Sequence, residues 1–178
     1  MKAVLFYYDG FAEFEIALVL LNLGELEWHH AALENRPYSS LEGQTFLVNH
    51  TLEAIDPKSI DLLVIPGGDS LPLFEIDHLK TFIEDCISSG GAVAGICGGS
   101  ELLAGFGLLD GLRCTGGARG ITDEDPLAKY YKRTKYEDSP IVIDNYKSGI
   151  MITAQGHFYE AFASKLVEIM NERPRREK

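Results

Sequence analysis

The 178-residue chain is poor in cysteine, with three, and in tryptophan, with one. Cys86, Cys97 and Cys114 form neither an even set nor a Cys-x-x-Cys pair. This argues against a disulfide framework, leaves a cysteine-built metal centre without support, and suits a reducing, cytoplasmic location. Basic residues are also scarce: 16 Lys and Arg face 27 Asp and Glu, giving a formal net charge of −11. A surface of that sign repels phosphate backbones and anionic membranes, so neither nucleic acid nor membrane is an expected partner. No apolar run approaches the roughly 18–20 residues that span a bilayer. Met1-Lys2 leads straight into a strand-like run, with no basic and then apolar leader pattern. Glycine-rich phosphate loops of the Walker or dinucleotide type are missing too, and no cofactor or metal is expected.

What remains is an ordinary globular composition, 46% hydrophobic and 24% charged, of a length that suits one domain. The apolar segments alternate in period. Ala3–Tyr8, Leu26–Leu33, Phe46–Asn49, Asp61–Ile65, Ala92–Ile96, Ile141–Asp144 and Gly149–Thr153 read as strands. Glu13–Leu23, Asp77–Ser89, Gly98 to about Phe106 and about Phe158 to Asn171 read as helices; Gly90-Gly91 stops the second. The first helix is apolar on every face through Ile16–Leu21, so it needs cover on two sides, from the sheet and from a second subunit or another helix. In the last helix Phe158, Phe162, Leu166 and Ile169 share one face. Strands alternating with helices imply βαβ units: an α/β three-layer sandwich with a mainly parallel sheet, over residues 1–172 as a single domain. The charged tail, 173–178, is expected to be disordered. Ligands in such folds bind beyond the carboxyl ends of the strands, which directs attention to Pro66–Ser70, Cys97–Ser100 and Asp9–Glu15.

The strongest local signal is Ala94-Gly95-Ile96-Cys97-Gly98-Gly99-Ser100. A buried strand ends on a cysteine and small residues open the next helix, the pattern of a nucleophile elbow. The helix N-terminus is expected to favour a thiolate at Cys97, and the Gly98 N–H to face a forming oxyanion. Pro66-Gly67-Gly68 ends another buried strand, where glycines let backbone N–H groups approach a ligand. Glu15 precedes an apolar segment, and a desolvated carboxyl there holds its proton. Cysteine hydrolases also need a base, and among five histidines His157, after a strand and Gln155-Gly156, is the candidate. His29, His30, His50 and His78 read as structural or exposed, Cys86 and Cys114 as packing residues, and the numerous tyrosines show no cofactor pattern.

Taken together, these segments resemble the ThiJ/PfpI superfamily, also described as class I glutamine amidotransferase-like. The resemblance runs from Gly10-Phe11-Ala12-Glu13-Phe14-Glu15 through Asp61–Gly68 and Ala94–Ser100 to Gly105–Cys114 and Ile152–Gly156. It implies a flavodoxin-like fold, a homodimer or larger oligomer, and a small-molecule substrate. It further implies Cys97 as the reactive residue, Glu15 as the acid beside it, and Gly67, Gly68 and Gly98 as backbone donors. Peptidase-like members carry histidine directly after the cysteine, where this chain has Gly98; others place one in the stretch here read as Cys114–Ala118, which has none. Either His157 substitutes from another loop or the site works without an imidazole. Three functions follow: a cysteine-dependent hydrolase or lyase with Glu15 as proton shuttle, a stress protein whose Cys97 is oxidised, or a chaperone-like binding module with a vestigial site.

Overall fold

The computed structural model describes residues 1–173. Eleven strands occur among them: β1 (Lys2–Phe6), β2 (Glu27–Ala32), β3 (Pro37–Ser39), β4 (Thr45–Leu47), β5 (His50–Thr51), β6 (Leu62–Ile65), β7 (Ala92–Ile96), β8 (Arg113–Cys114), β9 (Lys135–Tyr136), β10 (Ile141–Tyr146) and β11 (Gly149–Ala154). The α-helices are α1 (Phe14–Asn22), α2 (Asp77–Ser88), α3 (Gly98–Gly105), α4 (Ala128–Tyr131) and α5 (Tyr159–Glu172).

Seven strands form the central sheet in the order β10-β11-β7-β6-β1-β2-β5. Every neighbouring pair is parallel except β10 with β11. The central strands explain their own composition. Both β6 (LLVI) and β7 (AVAGI) are buried along their whole length, which is why they read as unbroken apolar runs rather than alternating ones. The chain moves from β1 through α1 to β2 on one side, then returns to β6 and β7 on the other. Right-handed crossovers therefore place α1 and α2 on opposite faces. The helix α5 packs along α1, and α3 packs on β7 with Gly105 against the Phe74 ring. Helices thus cover both faces of the sheet.

The second cover required by α1 is supplied by α5, although Leu21 stays 74% exposed at its outer edge. In α5, Phe162, Leu166 and Ile169 are buried as their spacing predicts. Phe158 is a correction: it lies in the 3₁₀ turn Gly156–Phe158 ahead of the helix. The small strands β3, β5 and β9 leave no signal in the sequence, because two or three residues are too few to show a period. Of the tail expected to be disordered, residues 174–178 lie outside the described residues. Arg173 is described, and its guanidinium donates to the Gly90 carbonyl, which ties the end of α5 to the α2–β7 turn.

Phe162 is among the largest fully buried side chains. Its replacement by alanine is expected to cost about 3–5 kcal/mol of stability, read as a shifted denaturant midpoint with an unchanged slope.

Candidate active site

Four adjacent strands, β11, β7, β6 and β1, run parallel and end along one edge of the sheet. That edge includes the point between β1 and β6 where the chain reverses its direction of travel, the usual place for a ligand in an open α/β sheet. Cys97 follows β7 directly and is the first residue before α3. Its backbone sits at φ 52° and ψ −121°, a left-sided conformation that costs a residue with a side chain on the order of 1–3 kcal/mol. The turn is held from both sides. The Cys97 N–H donates to the Ala154 carbonyl (2.9 Å), and the Cys97 carbonyl accepts from the N–H of Ser100 (3.0 Å) and Glu101 (3.2 Å). This is the elbow that the small residues around Cys97 predict.

Glu15 reaches the same point from the first turn of α1, buried to 2% exposure. Its Oε2 accepts from the Gly67 N–H at 2.7 Å, and its carboxyl is hydrogen-bonded to the Cys97 thiol. Two glycines leave room for this pairing. A Cβ on Gly156 would stand 2.5 Å from Glu15 Oε1, 2.8 Å from Cys97 Cβ and 3.1 Å from Cys97 Sγ. A Cβ on Gly67 would stand 2.6 Å from Cys97 Cβ and 2.9 Å from Glu15 Cδ. No side chain fits at either position without displacing the pair.

Burial raises the Glu15 carboxyl to about 7, against the opposing hydrogen bonds from Gly67 and Cys97. A carboxyl half-protonated near neutrality agrees with its apolar sequence context. Cys97 departs from expectation. It is half-buried, and burial, followed by the Glu15 and Glu101 carboxylates, pushes its thiol up to about 12. The Gly98 N–H acts in the opposite direction, but the helix terminus does not outweigh lost hydration next to two acids. The standing form is a thiol hydrogen-bonded to Glu15, not a free thiolate.

The three glycine amides also separate. The Gly67 N–H is taken up by Glu15, so it does not face the pocket as a free donor, which corrects the expectation for that residue. The Gly98 N–H is directed at the Cys97 sulfur. Gly68, at φ 119°, lines the pocket. That pocket, about 400 Å³, is bounded by Phe14, Leu41 and Tyr159 as apolar walls with Glu15, Gly68 and Cys97 at its polar end. His157 is exposed and lines the same pocket, where its main-chain N–H donates to the Ala118 carbonyl at 2.9 Å. No hydrogen bond joins its ring, or any other imidazole, to Cys97 among the described residues. His29, His30 and His50 gather instead at the β2–β5 edge, where His30 Nδ1 lies 2.8 Å from the Tyr7 hydroxyl and the His29 and His50 ring centres are 4.5 Å apart.

Three supporting residues carry no sequence signal of their own. Tyr8 is buried, and its hydroxyl donates to the carbonyls of Gly67 (2.6 Å) and Pro66 (3.0 Å), bracing the turn that holds Glu15. Glu101 is one helical turn beyond Cys97, and burial, with Asp125 nearby, raises it to about 7. Gln155 donates to Asp138 at 2.9 Å and to Thr115 at 3.3 Å, fastening the end of β11 to its neighbours. A lone Tyr, Glu or Gln offers no spacing to detect; only the fold gives each a partner.

Glu15 also makes stability depend on pH. Its pKa in the fold, about 7, exceeds the ordinary 4.5, so the native state binds more protons than the unfolded chain between those values. Stability from this group is complete below about pH 4.5 and is lost as pH rises through 7, by an amount on the order of 3 kcal/mol. Glu15→Gln is expected to flatten that part of a stability-versus-pH curve and to raise stability above pH 7 relative to the parent, measured by denaturant titration at successive pH values.

Comparison with known proteins agrees with this geometry. The sequence pattern of the DJ-1/PfpI family matches residues 1–169. The chain is 33% identical over 82 residues to Protein DJ-1 homolog D of Arabidopsis thaliana, a match covering 46% of this chain and 21% of that protein. It is 26% identical over 148 residues to Deglycase TK1284 of Thermococcus kodakarensis, covering 81% and 86% of the two chains. Among solved structures, Drosophila melanogaster DJ-1beta superposes with a TM-score of 0.81 at 22% identity, over 97% of this chain and 91% of the other. With nearly its whole length matched, and with the flavodoxin-like sheet in place, the chain belongs to the DJ-1/PfpI family.

Proposed function

We propose that the protein is a cysteine-dependent, hydrolase-like enzyme acting on a small electrophilic substrate, of the kind that its deglycase-named relatives suggest. The observation that carries this reading is the Cys97–Glu15 pair at the floor of the pocket. In it Cys97 is the nucleophile and Glu15 the proton shuttle. As sulfur bonds to the electrophilic carbon, the thiol proton passes to the Glu15 carboxylate and the carbonyl electron pair moves onto oxygen. The Gly68 and Gly98 amides receive that charge. Collapse of the adduct expels the leaving group, which takes its proton from Glu15, and water then hydrolyses the acyl thioester, releasing the acid and returning a proton to the Cys97 sulfur. An acid that titrates near 7 serves both directions of transfer at neutral pH.

His157 lines the pocket without a hydrogen bond to Cys97 among the described residues, and in this reading it binds substrate rather than transferring the thiol proton. A Ser-His-Asp-like triad receives no support, peptidase action least of all.

Turnover of an aldehyde-derived amine adduct, followed as release of the free amine, tests the reading. Cys97→Ala is expected to abolish it while the far-ultraviolet spectrum stays unchanged. Glu15→Gln is expected to lower kcat/KM by about 10²-fold or more and to remove the limb of the pH profile near 7. His157→Asn is expected to cost less than about tenfold. Undiminished turnover by the Cys97 variant would dismiss the proposal.

A further inference from the structure

The Cys97–Glu15 chemistry leaves one charge in the pocket unused. Arg36 pairs with Asp9 (2.7 Å) and Glu34 (3.2 Å), Arg113 with Glu137 (2.5 Å), and Arg133 with Asp110 (2.7 Å). Arg119 lines the pocket and makes no ion pair with any described residue. An unpaired guanidinium is unexpected in a chain carrying −11 overall, with Asp123, Glu124 and Asp125 only a few residues away.

Nor is Arg119 on a loose segment. On one side of it, the Gly156 N–H donates to the Gly117 carbonyl (3.0 Å) and the His157 N–H to the Ala118 carbonyl (2.9 Å). On the other, the Ile121 N–H donates to the Tyr136 hydroxyl at 2.7 Å. The backbone is therefore fixed on both flanks, against the wall where Gly156 closes over the Cys97 sulfur. The rings of Phe14 and Tyr159, edge to face at 5.3 Å, line the same pocket. The pocket thus offers a nucleophile, apolar walls and a cation; among the described residues Glu15 is the sole acidic group lining it.

We infer that Arg119 is a specificity residue that binds a carboxylate carried by the electrophile attacked at Cys97. The inference rests on the function proposed above and narrows it to electrophiles bearing a carboxylate on a short apolar body. A guanidinium suits this task because its planar fork donates two parallel hydrogen bonds to a carboxylate. Without it, the acidic surface and Glu15 would both turn an anion away.

Alkylation of the full chain by iodoacetate and by iodoacetamide separates the charge from the electrophile. The two reagents share a carbon centre and a leaving iodide, and only the first is a carboxylate. Rates at Cys97 are read by mass spectrometry of its peptide, with free cysteine as the reference thiol. The iodoacetate-to-iodoacetamide rate ratio at Cys97 is expected to exceed that of free cysteine by about tenfold at low salt and to shrink as ionic strength rises. Arg119→Gln is expected to bring the ratio below that of free cysteine, and Arg119→Lys to restore part of it. Arg119 is exposed, and unchanged melting temperatures would confirm that both variants fold. A ratio unaltered by Arg119→Gln, with Cys97 still reactive, overturns the assignment of Arg119 and leaves the nucleophile reading intact. Resistance of Cys97 in the parent protein to both reagents overturns the nucleophile reading, and the inference with it.

Discussion

One hydrogen bond, between the carboxyl of Glu15 and the thiol of Cys97, organises this end of the molecule. The two groups come from segments 82 positions apart in the chain, and each is held away from water by elements that belong to neither. The turn after β6 supplies the amide that fixes one carboxyl oxygen, and the turn after β11 supplies the glycine that lets the sulfur and the other oxygen approach. Tyr8 then braces the β6 turn from behind. Four parallel strands must end at one edge, in register, for any of this to occur. The sheet order is therefore part of the chemistry: a slip between β7 and β11 would move Gly156 off the sulfur.

Burial and charge set the protonation states in opposite senses from those that helix geometry alone suggests. A helix terminus is worth less than about 1 kcal/mol at an exposed site and about 2 in a partly buried one. Removing a thiolate from water beside two carboxylates costs more, and the thiol wins. The same loss of water keeps Glu15 in reach of both protonation states near neutrality. The two groups are therefore coupled: the Glu15 carboxylate raises the Cys97 thiol, and the hydrogen bond from Cys97 lowers the Glu15 carboxyl.

Much of this was legible before any coordinates. The unbroken apolar runs of β6 and β7 declared two-sided burial, and the small residues from Gly95 to Ser100 declared a tight strand-to-helix turn. Cys97, Glu15, Gly68 and His157, which the sequence singles out, line one pocket. Other features were not legible, for physical reasons. The engagement of the Gly67 amide depends on a carboxylate 52 residues away, and no local pattern encodes that distance. The cover of α1 by α5 is a contact between chain ends. Tyr8 and Glu101 gain their character from burial and from partners distant in the chain, and a periodicity argument cannot say which polar residue on a mixed face is the one enclosed.

The positive φ of Cys97 has a consequence for the molecule as an evolving object. Alanine or serine at 97 would inherit the same unfavourable backbone, and only glycine would relax it. The fold therefore carries a standing load at position 97, and under selection for stability alone the path of least resistance there leads to glycine. A chain that retains cysteine there holds stability in reserve elsewhere, in the fully apolar β6 and β7 and in the packing of α5 on α1. Robustness in those layers is what allows the strained turn to persist.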